Sequence, residues 1–212
     1  MNRFMKVRIT SLVAAFALLG AISLSAQVRY QAAPGSKVKL DGTSTIHDWT
    51  VESGIIGGFI EFESAEALDP AKTPSDVKAK VEVKIPSRSI KSGKKQMDDI
   101  MHDALKVKTA TNITYTLKEI KAQPRKAGEP LKFDTKGDLT VAGVTKPIDM
   151  VVTLTPTGDT LKATGSKRVK MTDFGIKPPA PALGLGLIKT ADEVTVNFEW
   201  NTRKVTKTAS AN

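Results

Sequence analysis

Residues 77–85 read "VKAKVEVKI". Val77, Ala79, Val81, Val83 and Ile85 fall at every second position, with Lys78, Lys80, Glu82 and Lys84 between them. Successive side chains of an extended chain leave opposite faces, so this segment predicts a strand with one face in an apolar interior and the other in water. Residues 194–200, "VTVNFEW", repeat the pattern, setting Val194, Val196, Phe198 and Trp200 against Thr195, Asn197 and Glu199. Weaker alternation runs over 113–120, 131–141, 148–154 and 161–169. With Val38 to Leu40, Trp49 with Val51, and Gly58 to Phe62, the expected total is about eight or nine strands.

Turn chemistry separates them. "VAGVTKPI" (141–148) reads as a hairpin, with Gly143 in the turn and Pro147 at a strand start, and "TPTGDT" (155–160) reads as another. Many strands at regular spacing predict an all-β sandwich or antiparallel barrel in one domain over 27–203, followed by a polar disordered tail at 204–212. One segment has a different period. In "KKQMDDIMHDALK" (94–106), Met97, Ile100, Met101, Ala104 and Leu105 recur at helical spacing, with Asp98, Asp99, His102 and Asp103 opposite. This predicts one short amphipathic helix that closes an end or side of the sheet.

The first 26 residues carry Arg3, Lys6 and Arg8, an apolar run from Ile9 to Leu24, and small residues at Ser23, Ser25 and Ala26. That order predicts an export signal cut near Ala26 and a periplasmic or secreted protein. An uncleaved anchor is the rival reading, and no basic stop-transfer cluster follows the run to support it. Cysteine is absent, which excludes disulfides, thiolate metal sites and thiol catalysis. The 186 residues after Ala26 are enough to bury roughly 70% of the unfolded surface around one core. Net charge is +10, but the lysines are spread along strands and not gathered with aromatics, so no nucleic acid is expected. A cationic surface suits peripheral contact with anionic membrane headgroups.

One of the two histidines lies in "LDGTSTIHDWTVES" (40–53). If that stretch is extended, His47 and Asp48 point to opposite faces and cannot form an acid–base pair. His47 then shares a face with Thr45, Trp49 and Val51. Two roles stay open: a core histidine satisfied by a carbonyl or by Thr45, and a polar group orienting the polar end of a bound molecule. No Ser sits in a G-x-S-x-G elbow, and no P-loop, dinucleotide or H-E-x-x-H pattern is present. No catalytic residue and no cofactor are expected.

"TSTIHDWT" (43–50), "IPSRSIKSGKKQMDDIM" (85–101), "GDLTVAGVTKPIDMVV" (137–152) and "TDFGIKPPA" (172–180) occur in this order. Together they resemble the YceI-like lipid/polyisoprenoid-binding proteins of bacterial envelopes, over about Val38 to Trp200. The resemblance implies a lipocalin-like antiparallel β-barrel of about eight strands with an elongated apolar cavity. It also implies a ligand of isoprenoid, quinone or fatty-acid-like character. His47 and Trp49 match the family's H-x-W position, and Asp173, Phe174 and Gly175 its D-F-G-I stretch. The chain departs from the family after the helix, where "ALKVKTATNITYTL" has neither Phe nor Pro.

The candidate ligand-binding residues are His47, Trp49 and Phe59 early in the chain, then Val81 and Val83, Met101 on the helix, Phe133, Met150, Phe174, Val196 and Phe198. The small residues near them, Gly57, Gly58, Gly137 and Gly165, are expected to leave room inside. Arg88, Lys91 and Lys94, with Lys95, are candidates for a head group at a mouth formed by loops 87–95 and 177–186; the alternative is a plain solvated basic loop. Three rivals complete the reading. A ligand-free envelope stress or interaction protein would have a packed barrel. A metal-assisted enzyme would use Asp99, His102 and Asp103. An outer-membrane barrel would need aromatic girdles, for which two Trp and two Tyr are few.

Overall fold

The alternating segment at 77–85 forms a strand over Ala79–Pro86. It is one of ten in a computed structural model that describes residues 27–205, apart from 70, 72–73, 75, 127 and 181–187. In chain order the strands are β1 (Val28–Ala32), β2 (Lys37–Ser44), β3 (Trp49–Ser53), β4 (Gly57–Phe62) and β5 (Ala79–Pro86). They continue with β6 (Asn112–Ala122), β7 (Leu131–Val141), β8 (Val144–Thr157), β9 (Thr160–Lys170) and β10 (Thr190–Val205). Every pairing is antiparallel, and β1 against β10 closes the sheet on itself.

Ten strands make eight staves, because two staves are bent. β1 and β2 both run along β10, Ala32 opposite Thr202 and Lys37 opposite Glu199, so residues 33–36 face only 200–201. That excess forms a bulge in which Gly35 takes φ of 85° and the buried Ser36 hydroxyl accepts from Asn201 N at 3.1 Å. β3 and β4 form the matching bent stave, broken at 54–56, with β3 on β2 and β4 on β1. The result is a closed antiparallel eight-stave barrel, as the alternation and the resemblance predict.

Sequence and structure differ at three places. β1 is an additional strand, signalled only by Val28 and Tyr30, which are buried. Lys204 and Val205 continue β10 opposite Tyr30 and Arg29, so ordered pairing runs two residues past the expected start of the tail. The β7–β8 turn is two residues, Ala142 at φ 50° and Gly143 at φ 83°, with β8 beginning at Val144; Pro147 is therefore inside the strand. The expected leader at 1–26 and the remainder of the tail lie outside the described residues.

Pro147 is tolerated because the seam beside it is unzipped. β8 pairs with β9 only from Val152 opposite Gly165 to Thr157 opposite Thr160. Residues 144–151 of β8 and 166–170 of β9 keep their outer partners, β7 and β10, and have no ladder between them. A residue without an N–H is not missed on such an edge.

The interior divides into two levels. At one end Phe62, Phe133, Leu161, Leu154 and Trp200 pack a solid core. At the other, Val51, Ile90, Leu105, Phe174 and Ile176 gather under α1 (Lys95–Ala104), the one α-helix among the described residues, which contributes Met97, Met101 and Ala104. α1 ends in a Schellman motif: Lys106 at φ 52° donates to Asp103 O at 3.0 Å, and Val107 donates to His102 O at 3.1 Å. Val107 is buried, so the cap also plugs the helix end into the core. The outer face carries cross-strand ion pairs such as Lys136–Glu119, Lys162–Glu199 and Arg168–Glu193. A lipid-facing wall would be apolar there, which argues against an outer-membrane barrel.

Candidate ligand cavity

Between the two levels lies a cavity of about 480 Å³, within the range of small-molecule sites. Its walls are the inward residues of the upper staves: Val38, Leu40, Val83, Ile85, Ile113, Leu139, Val141, Ile148, Met150, Val169, Val194 and Val196. Phe198 and Trp200 are shared with the packed end, and the buried Tyr115 also lines the cavity. Met97, Ile100, Met101 and Ala104 of α1 form one side. The strand period puts these side chains inside, and Val, Ile and Met supply most of the lining, in keeping with the low aromatic content.

The glycines act differently from expectation. A Cβ at Gly137 would stand 2.5 Å from the Tyr115 ring, and one at Gly165 2.6 Å from that of Phe198. One at Gly42 would stand 2.1 Å from Trp49. These glycines do not leave room for a ligand; they seat aromatic rings flat against the wall. Gly58, at φ of 116°, brings its backbone against Glu82 O, where a Cβ would stand at 1.9 Å.

Trp49, Val83, Met101, Met150, Phe174, Val196 and Phe198 line the cavity. His47 and Lys94 also line it, but as exposed rim residues. His47 is not in a strand, because 45–48 form a bend stapled by Ser44, whose hydroxyl donates to His47 O at 2.7 Å. Its Nδ1 lies 2.8 Å from Asp48 O. The face-sharing argument therefore fails at this residue: His47 is not a core histidine, and it meets the cavity from the rim. Phe59 points outward, its ring 3.6 Å from the Arg29 guanidinium carbon, because Ile60 and Phe62 hold the inward phase of β4. Phe133 and Val81 belong to the packed end. Arg88 is exposed in a short turn, and Lys91 is bound through its backbone to Glu52; neither lines the cavity. Of the loop expected at 177–186, Pro179 lines the rim, and 181–186 lie outside the described residues.

The helix carboxylates have structural partners. Asp98 accepts from Ser92 N and Ser92 Oγ, each at 2.6 Å. Partial burial pushes its pKa up, but the Ser92 donors and nearby His102 and Lys91 outweigh it and hold the carboxyl below the usual range. Asp99 is paired with Lys95, and His102 Nε2 lies 2.9 Å from Ile90 O. Among the described residues, no group of three or more His, Cys, Asp or Glu is arranged to hold a metal ion.

Sequence reasoning missed Lys167. It shares the phase of Leu161, Ala163 and Val169 along β9 and stands opposite Val196, so its stem leaves the strand toward the cavity. Lys94 and Lys170 are the other charged lining residues, and no carboxylate is among them. Among the described residues, two buried side-chain polar atoms have no hydrogen-bond partner, Tyr115 OH and Trp200 Nε1. Burial pushes the Tyr115 phenol up, and the Thr135 hydroxyl, which stands near it outside hydrogen-bond geometry, offsets only part of the shift. The Thr135 hydroxyl donates to Met150 O at 2.9 Å.

Known proteins share this design. A "UPF0312 protein" of Pseudomonas fluorescens (strain SBW25) is 28% identical over 156 residues, covering 69% of this chain and 78% of that protein. Among solved structures, Burkholderia cenocepacia BcnA superposes with a TM-score of 0.60 at 22% identity, over 78% of this chain and 95% of BcnA. A polyisoprenoid binding domain from Saccharophagus degradans gives 0.61 at 17% identity, over 84% and 98% of the two chains. Campylobacter jejuni YCEI protein gives 0.54 at 21%, over 74% and 85%. These likenesses establish the shared barrel. The YceI-like domain matches residues 25–202, nearly the whole barrel from β1 to β10, and the chain belongs to that family.

Proposed function

We propose that this protein binds one amphiphile, with an isoprenoid or other long apolar tail, in the barrel cavity, and sequesters or carries it. The observation that carries the reading is the cavity of about 480 Å³, walled by aliphatic side chains within a closed barrel. A tail placed there gains roughly 0.8 kcal/mol per buried CH₂, or about 8 kcal/mol for ten carbons. Immobilisation costs about 4–15 kcal/mol, so affinity rises with tail length and short chains bind poorly. The Saccharophagus degradans structure is that of a polyisoprenoid binding domain, which supports the same class of tail here. The same reading takes in quinone and fatty-acid-like molecules, whose tails are also long and apolar.

The setting we propose is the periplasm or the exterior, after removal of the first 26 residues, with peripheral contact to anionic lipid through the basic surface. The basis is the leader-like sequence and the net charge of +7 that remains when Arg3, Lys6 and Arg8 are taken from the +10 of the whole chain. Native mass spectrometry of protein purified from its own cells tests the carrier reading: a retained hydrophobic adduct is expected. Protein that is always empty, and that takes up no isoprenoid from detergent, would instead leave a ligand-free envelope protein. A mature amino terminus at Gln27 in the periplasmic fraction is the corresponding result for export.

A further inference from the structure

Lys167 is out of place for a wall residue. Its Cβ leaves β9 on the same face as Val196, its direct partner, and its side chain lines a largely apolar cavity. Asp149 lies on β8 opposite Lys136 and is 82% exposed, so it belongs to the outer face. Yet Lys167 Nζ lies 3.3 Å from Asp149 Oδ2. In a zipped sheet an inward side chain and an outward carboxylate do not meet, because the ladder lies between them. They meet here because the β8–β9 seam has no ladder over 144–151 and 166–170. The lysine stem lies in the cavity wall, the side chain as a whole is 29% exposed, and the ammonium reaches Asp149 through the seam.

An ammonium at an apolar wall carries a desolvation cost, which a half-solvated ion pair at this distance offsets only weakly. A head group arriving with its tail in the cavity would face cations alone, since Lys94, Lys167 and Lys170 are the charged lining residues. Asp149 then competes with that head for one ammonium.

Resting on the carrier reading, we propose that the unzipped β8–β9 seam is a head-group site, where Lys167 binds the carboxylate or phosphate of an anionic amphiphile by exchanging it for Asp149. The tail lies in the cavity and the head at the seam.

The test titrates the full-length mature protein with hexadecanoate, hexadecyl phosphate and the neutral hexadecanol. Wild type is expected to bind at least one anion roughly tenfold or more tighter than the alcohol. Lys167→Met should abolish that preference and leave hexadecanol within about twofold, while Lys167→Arg should keep it. Asp149→Asn should strengthen anion binding severalfold, because it removes the competitor. Opposite signs for the two neutralising variants are the signature of exchange; a mere latch across the seam would make both variants act alike on every probe. Tighter binding of hexadecanoate indicates a fatty-acid-type head, and tighter binding of hexadecyl phosphate a phosphorylated one. Equal affinity of wild type for both anions and the alcohol overturns this inference alone. Uptake of none of the three probes overturns the carrier reading with it.

Discussion

Val196→Trp separates an open interior from a filled one. Val196 lies on β10 between Leu40 and Lys167, on the wall of the 480 Å³ space. An indole brings about seven more non-hydrogen atoms than an isopropyl group. If each takes the place of one tail carbon worth about 0.8 kcal/mol, the ligand loses about 5–6 kcal/mol, or roughly four decades of affinity. The fold should hold, because the ring enters existing space; a stability change within about 1 kcal/mol is expected. Val81→Trp is the control, since Val81 packs against the solid end of the barrel and is absent from the cavity wall. It should cost about 1–3 kcal/mol of stability through overpacking. Urea denaturation of both variants, beside titration with a fluorescent isoprenoid analogue, gives the two readouts. Wild-type affinity in Val196→Trp would refute the placement of the tail. Equal destabilisation of the two variants would refute the cavity itself.

Gly42→Ala sets a methyl 2.1 Å from Trp49 Cζ2, so the indole must leave its seat; a loss of about 1–3 kcal/mol and altered tryptophan emission are expected, and an unchanged emission spectrum would refute the close seating. Tyr115→Phe removes a buried hydroxyl that has no protein partner, and should leave stability unchanged or raise it by up to about 1–3 kcal/mol in thermal melts. A marked drop in melting temperature would reveal a bond the phenol depends on. The folded pKa of Asp98 lies below its unfolded value of 3.8, so its stabilisation is complete above that pH and is lost as pH falls through the folded value. Asp98→Asn should cost about 1 kcal/mol at neutral pH, and stability should fall less steeply below pH 3.8 than in wild type; parallel acid curves would refute the role of Ser92.

Period-two alternation was enough to expose most of the barrel, because one face of each stave is sealed and the other wet. β1 was harder to see, since five residues hold only two apolar anchors, Val28 and Tyr30. Trp49, Met150, Val196 and Phe198 could be found on the cavity wall for the same reason that their strands could be found. Phase within a short strand was less secure. Phe59 is the aromatic neighbour of Ile60 and Phe62, and choosing it means choosing the wrong side of β4. His47 meets the cavity from the rim and not from a strand face, because alternation holds only in extended chain and Ser44 turns the chain just before it. Phe133 and Val81 point inward as their phase requires, but nothing local distinguishes the packed level of a barrel from the hollow one. The same limit applies to the glycines, whose missing side chains are filled by rings from neighbouring strands.

The last stave holds the ring shut. β10 pairs with β9 along most of its length, with β2 over its first part and with β1 at its end, so the first and last described strands meet. Until β10 is present, the earlier strands form a curved ribbon with raw backbone at both margins. Closure therefore joins the most distant parts of the sequence, the kind of pairing that makes a chain slow to fold. Closure of the ring therefore waits until nearly all of the barrel sequence has been made, because the strand that seals it is the last in chain order.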